Sequence, residues 1–588
     1  MKKDEGRQTK DEEITAAFEW GTPLNPLLLL YLVLTLVAFL VSPLPQRSLP
    51  YLVQTAGGTA LFLFAYRWLH SLARLRWLLW ALVLGGGAVA AVGLLLVEWP
   101  AQYLFDLRPF LTHLPRLSTT FTIHANAMAG ALLPLFCLAG GLWQFKLSGW
   151  QRALLIVALF FMGLMLLLTQ SRNAWLALLA AWAAYRLWGK TRFSFAAIGL
   201  GLLLVLPFVA SLLPAAGLAH LEQGVTMLDD LTKSGETDEP SWLSRLEIWR
   251  VAGQTITDYP VLGAGLHTFE PVSRVNYVYA LVSPRFNFAH AHNLFLQTAV
   301  NLGLVGLLVM AGLWGVLLWS LWQRQPQIII ESGDWTAVLG ATFIGLFWFN
   351  LFDLLAWEMK AGIFIWLLLA IAMRLSPARP LFETSYLISA AVGVWLILLL
   401  SPPGQANWRH LQLDQVRFGQ TAALSLPSAD FAHDARRLGL AHRERGEIEM
   451  AVSVWQADEE SVSFLRQQGM AAYLAGEWET AVGWYNLALQ IEETDGLTHY
   501  WLGLAYQYQG DDPAQALAQY DRALADLLDD VQPALLADIW EARGRVLVQL
   551  AEWEAAADSF AQAVALFPDN PDYLQQLNQV NQLLQEKE

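Results

Sequence analysis

The sequence predicts an all-α protein in two parts, a polytopic helical membrane domain followed by a soluble helical solenoid. Three observations predict this. Of 588 residues, 55% are hydrophobic and only 15% charged, where an ordinary soluble domain carries about 25% charged residues. The charge is unevenly spread: residues 1–403 hold 25 Lys and Arg against 22 Asp and Glu, and residues 404–588 hold 11 against 29. The acidic part also repeats a small-residue and aromatic pattern at near-regular spacing. Such acidity excludes a nucleic-acid partner for the tail, because it repels phosphate backbones. The single cysteine, Cys137, excludes a disulfide framework and a cysteine-based metal site.

A span needs roughly 17 to 25 apolar residues. About eleven stretches meet or approach that length: 24–42, 51–69, 77–97, 125–145, 153–170, 173–188, 194–214, 294–322, 335–356, 361–375 and 385–400. Residues 1–23 form a polar N-terminal segment without a cleavage site, so the first span reads as a retained anchor. Cytoplasmic loops concentrate Lys and Arg. With the N-terminus inside, the inner loops hold fifteen such residues and the short outer loops five. The membrane domain, 24–403, then places its large loop, 215–293, and the tail, 404–588, outside the plasma membrane, with the N-terminus cytoplasmic.

In the tail, Gly439, Gly469, Gly503 and Gly544 each begin the same pattern. A second small residue follows seven on (Gly446, Gly476, Gly510, Ala551), then an Ala (Ala451, Ala481, Ala516, Ala556), then four later an aromatic (Trp455, Tyr485, Tyr520, Phe560). The pattern resembles the tetratricopeptide repeat. That resemblance implies antiparallel helix pairs brought close by small residues, with the aromatic filling the gap to the next pair. A stacked solenoid of this kind offers a concave surface for a protein partner.

Ionisable and amide side chains at the ends of spans are costly, so each is a functional candidate. Four groups gather at the expected outer face. His124 and Asn126 open the fourth span, Arg172 lies in the turn of a tight hairpin, His290, His292 and Asn293 lead into the eighth span, and Asp353 ends the ninth. Each has a plainer reading. Asn126 suits a helix cap, Arg172 could snorkel to lipid phosphates, and Asp353 could pair with Arg172 or Lys360. His290 and His292 could form a metal pair, but no third ligand stands near in sequence, so no metal is expected. In the large loop, Arg245 and Arg250 lie on an amphipathic stretch from Trp242 to Ile256, followed by Pro260, Gly263 and Gly265. Either arginine also fits a solvated charge.

Arg245, Trp249, Pro260, Gly263 and Gly265, then His292-Asn293-Leu294-Phe295-Leu296-Gln297 with Gly303 and Gly306, resemble the signature of the O-antigen ligase superfamily. Ser171-Arg172 and His124-Ala125-Asn126 resemble its upstream motifs, and the resemblance spans about 120–375. It implies transfer of a glycan from a polyprenyl diphosphate carrier to a hydroxyl on a glycan, lipid or protein acceptor, at the outer face of the plasma membrane and without a cofactor. The chemistry of the residues agrees. A guanidinium can hold two oxygens of a departing diphosphate, a role for Arg172, Arg245 and Arg250. Histidine ordinarily titrates nearest neutral pH, which makes His292 the expected general base. His124, Asn126, His290, Asn293 and Asp353 would support them. Two other classes compete: a non-catalytic membrane-anchored scaffold for envelope polysaccharide assembly, and a transporter, which would gather ionisable residues at the midplane.

Overall fold

The computed structural model describes residues 22–98, 123–188, 242–277, 288–323, 335–353, 362–376, 384–418, 435–510, 512–527 and 533–587. Among these, regular structure is helical apart from a parallel pairing of two-residue strands, β1 (Val97–Glu98) with β2 (Ile123–His124). The chain divides into two compact units. One comprises residues 1–211, 252–269 and 289–409, and the other 212–251, 270–288 and 410–588. The large loop, expected as an outer insertion of the membrane domain, is therefore shared between the two.

The first unit is built on α1 (Asn25–Leu40), α2 (Pro45–Trp68), α3 (Leu72–Gly93), α4 (Ala125–Leu142), α5 (Gly149–Leu168) and α6 (Arg172–Leu187). After α7 (Trp242–Asp258) and α8 (Phe269–Asn276) come α9 (Leu294–Trp322), α10 (Trp335–Phe352), α11 (Ile363–Leu375) and α12 (Thr384–Leu400). Every expected span except 194–214, which lies outside the described residues, coincides with one of these helices. By length and composition α3, α4, α5, α9 and α10 can cross a membrane, whereas α1 and α11 are apolar but shorter. Exposed Ile156, Val157, Phe160 and Leu167 give α5 an outward apolar face, which suits contact with lipid.

Small residues set how closely these helices pack, since backbones approach only where side chains are minimal. A Cβ on Gly87 of α3 would stand 2.9 Å from Ala158 Cα of α5, and one on Gly345 of α10 would stand 3.0 Å from the Ala177 carbonyl oxygen of α6. Gly58 of α2 receives the indole of Trp366 from α11. Capping fixes the starts. Ser148 and Gln151 form a capping box at α5, and Asn293 accepts from the Phe295 and Leu296 amides at α9.

Inside α9, Gly303 takes φ +72° and breaks the helix. The freed groups are used: the Leu304 amide donates to the Pro260 carbonyl (2.7 Å), and the Ala264 amide donates to that of Val300 (2.7 Å). The turn after α7 is thus pinned to the break in α9. A Cβ at Gly263 or Gly303 would stand 2.4 or 2.6 Å from the facing backbone, so the two glycines interlock. Asn407, fully buried, secures the other side: its Oδ1 accepts from the Val261 (3.0 Å) and Leu262 (2.7 Å) amides. Asn407 belongs to α13 (Pro402–Arg417).

The second unit stacks α14 (Ala435–Glu444), α15 (Ile448–Trp455), α16 (Ser461–Leu474), α17 (Trp478–Ile491), α18 (Gly496–Gln509), α19 (Pro513–Asp526), α20 (Pro533–Gln549), α21 (Trp553–Leu566) and α22 (Pro571–Lys587). From α16 to α22 each helix packs on the next. The four aromatics lie on the glycines of their own pairs: Trp455 on Gly439, Tyr485 on Gly469, Tyr520 on Gly503 and Phe560 on Gly544. They therefore fill the space within a pair, not the gap to the next one as expected. A glycine leaves the hollow and the ring fills it. The segment 270–277 joins this core, with Val275 buried among Trp455, Phe464 and Leu465 and the Arg437 guanidinium donating to Tyr277 Oη at 3.0 Å.

Candidate active site

The last carbonyls of a helix have no intrahelical partner and must be satisfied otherwise. At the end of α10 side chains from two other helices reach the carbonyls, that of Phe349 accepting from the Asp353 amide (3.0 Å) as well. Asn173 Nδ2 donates to the Phe349 carbonyl at 2.9 Å, and Asn293 Nδ2 donates to that of Leu351 at 2.7 Å. Asn173 follows Arg172, and Asn293 follows His292. The end of α10 thus draws together the starts of α6 and α9, and with them two of the residues singled out by the sequence.

Asp353 stands just beyond α10, its Oδ1 3.5 Å from His292 Nδ1; the two side chains are 13% and 26% exposed. Where the sequence offered Arg172 or Lys360 as its partner, the described partner of Asp353 is His292, and Lys360 lies outside the described residues. A carboxylate on the Nδ1 side favours the Nδ1–H tautomer and leaves Nε2 as the basic atom. Nδ1 itself is buried, so the exposed part of the His292 ring lies on its other atoms.

His292 sits in the left-handed region, φ +47°, a conformation uncommon for a non-glycine residue. Its surroundings impose it. The His292 amide donates to His290 Nδ1 at 3.3 Å, and the two rings lie with centroids 4.3 Å apart. The buried Gln297 accepts from the Ala291 amide at 2.7 Å and donates to Asn301 Oδ1 at 2.8 Å. Backbone strain of this kind concentrates at functional sites, where the surroundings over-determine it.

Arg172 is the first residue of α6, after Ser171, which accepts from the Ala174 amide. Its side chain is exposed. His124 is also exposed and immediately precedes α4, so Asn126, expected as the cap, is the second residue of that helix; neither side chain caps it. The other end of α4 brings Gly141 against Trp335 and Val338 at the start of α10. The two helices are antiparallel, and His124 and Asn126 therefore lie toward the same end of the bundle as Asp353.

Arg245 and Arg250 belong to the second unit. Arg245 is half-buried. Arg250 is buried, its Nε and Nη2 donating to both oxygens of the fully buried Glu247 at 2.9 and 2.7 Å. That fork is therefore engaged by a carboxylate within the helix. Among the described residues no group of three or more His, Cys, Asp or Glu is placed to hold a metal ion.

Asn173 and Asn407 were not singled out from the sequence. Asn173 follows the arginine of the hairpin motif, and that adjacency was the available signal; Asn407 had none. Residues 157–311 match a family model described as O-antigen ligase. The match covers about a quarter of the chain, including Arg172, Arg245, Arg250, His290, His292 and Asn293, and leaves His124, Asn126 and Asp353 outside. It supports a likeness to the O-antigen ligase superfamily in this region. No curated protein matches the chain.

Proposed function

We propose that the protein transfers a glycan from a polyprenyl diphosphate carrier to an acceptor hydroxyl, in the manner of an O-antigen ligase. The observation that supports this most is the convergence of His292, Asp353 and the start of the Arg172 helix on the end of α10. The similarity of residues 157–311 to O-antigen ligases agrees with it.

In the proposed step, His292 Nε2 takes the proton of the acceptor hydroxyl as its oxygen bonds to the anomeric carbon. The bond from that carbon to the diphosphate oxygen breaks, and the electron pair leaves with the diphosphate. Asp353 holds the imidazole and stabilises the imidazolium that forms. Arg172 receives the charge growing on the diphosphate, and such stabilisation is usually the largest contribution to a reaction of this kind. Arg245 is proposed as a second carrier-contacting arginine on the sequence resemblance alone. The acceptor, whether glycan, lipid or protein, is left open by these residues.

The proposal places the site and the helical stack at the outer face of the plasma membrane, following the Lys and Arg bias of the short loops. The stack is read as tetratricopeptide-like, with a surface for a protein partner. Purified protein in lipid, given a polyprenyl diphosphate-linked oligosaccharide and candidate acceptors, tests the function. Release of free carrier diphosphate coupled to acceptor glycosylation is expected. No consumption with any acceptor, while the protein remains folded, would favour the scaffold reading.

A further inference from the structure

Among the described residues the non-glycine residues with positive φ are Gln170, His267, His292 and Ala551. Gln170 follows the end of α5, and Ala551 occupies a helix-hairpin turn where the other repeats have glycine; both are familiar helix ends. The two histidines differ. Each stands two residues ahead of a helix, His292 before α9 and His267 before α8.

The turn carrying His267 is fixed on several sides. The Leu304–Pro260 and Ala264–Val300 bonds show that it runs antiparallel to α9, back toward the end bearing His292. Ser48 Oγ, which is hydrogen-bonded to Ser42 Oγ at 2.7 Å, donates to the Leu266 carbonyl at 2.7 Å. Ser42 follows α1, whose opposite end places Leu27 beside Gly312 in α9. Helix α1 therefore also runs antiparallel to α9 and brings Ser42 to the same end. The partly buried imidazole of His267 stacks on the partly buried Tyr51 ring, with centroids 4.1 Å apart and planes 24° from parallel.

We propose that His267 is a saccharide-contacting residue of the same transfer site, its ring held by Tyr51 so that the imidazole edge meets hydroxyls of the acceptor sugar. An aromatic pair with a polar edge suits a sugar ring, which offers C–H groups to a π face and hydroxyls to a ring nitrogen. The balance of the reaction assigns this residue no proton, because His292 accepts the only one released. His267 is therefore a specificity residue.

The inference rests on the proposed transfer function, and its test separates the two. His267→Gly removes the ring but suits the left-handed backbone, so the fold is retained or stabilised. With a purified acceptor saccharide, acceptor KM is expected to rise at least tenfold while donor KM stays within twofold. His267→Asn, which tolerates this backbone and keeps a donor and an acceptor, is expected to recover part of the loss. Wild-type acceptor KM in His267→Gly, in a preparation where His292→Ala is inactive, overturns the role of His267 and leaves the transfer function standing. Full activity of His292→Ala, or no activity in the wild type, overturns the transfer mechanism itself.

Discussion

Asn293 Nδ2 donates to the carbonyl of Leu351, and this one bond joins the residue after His292 to the residue two before Asp353. It accounts for the facing of imidazole and carboxylate across separate helices. On the proposed mechanism, His292→Ala lowers kcat by about 10²- to 10⁴-fold, the range associated with loss of a general base. Asp353→Asn keeps the shape and removes the charge, so a smaller loss of at least about tenfold is expected. His290→Ala, which removes the Nδ1 acceptor of the His292 amide and the ring contact with His292 but no group assigned to the proton transfer, is milder still. Turnover of a lipid-linked donor by the three purified variants checks the order, and equal losses from His290 and His292 would argue for a metal pair.

Arg172→Lys retains charge but not the two-pronged geometry. Loss of a contact to a forming anion costs about 2 to 4 kcal/mol, which corresponds to roughly 30- to 10³-fold in rate. Single-turnover kinetics with saturating donor measure it. Wild-type turnover would show that Arg172 only reaches toward lipid phosphates.

Gly303→Ala is expected to destabilise the first unit by at least about 3 kcal/mol, because it adds a contact with Val261 to an unfavourable φ. Gly315→Ala, on the same helix with nothing within 4 Å of the added Cβ, is the control and should be neutral or gain about 0.5 to 1 kcal/mol. Thermal unfolding of the two proteins in the same detergent decides. Similar midpoints would mean that the interlock with Gly263 relaxes.

Ala551 adopts φ +60° at the turn where Gly446, Gly476 and Gly510 adopt +77° to +80°. A left-handed L-residue costs about 1 to 2 kcal/mol, and glycine returns part of that gain by freeing the unfolded chain. Ala551→Gly should therefore stabilise the helical stack by about 0.5 to 1 kcal/mol, and Gly476→Ala should do the reverse. Denaturation followed by tryptophan fluorescence reads both, and a loss on Ala551→Gly would refute the reading.

What could be read beforehand was whatever is periodic or local. Apolar run length gives α1 to α6 and α9 to α12, and the spacing of Gly439, Gly469, Gly503 and Gly544 gives the paired helices. Position at the end of a run singled out Arg172, His292 and Asp353. Their pairing could not be read, because Asp353 reaches His292 through Asn293 and Leu351, fifty-eight residues apart, and sequence spacing carries no trace of that bond. The same holds for Asn407, whose partners lie 145 and 146 residues away. Arg245 and Arg250 looked alike on one helix, yet burial of Glu247 engages the second and leaves the first half-buried.

The break at Gly303 also divides α9 by chemistry. Residues 304–322 are apolar except for Ser320 and, at 1.5 Å per residue, extend roughly 28 Å, about the thickness of a hydrocarbon core. Gln297, Thr298 and Asn301 all fall before the break. The polar side chains of the segment that follows His292 are buried and hydrogen-bonded within the protein, Gln297 to Asn301 and Thr298 to the Leu294 carbonyl, so none of them is presented to hydrocarbon. On the proposed function, a substrate tethered by a polyprenyl tail would be confined to the membrane and would arrive by lateral diffusion. For such a substrate the quantity that sets encounter is the number of molecules per unit area of membrane, and diluting the surrounding solution would leave it unchanged.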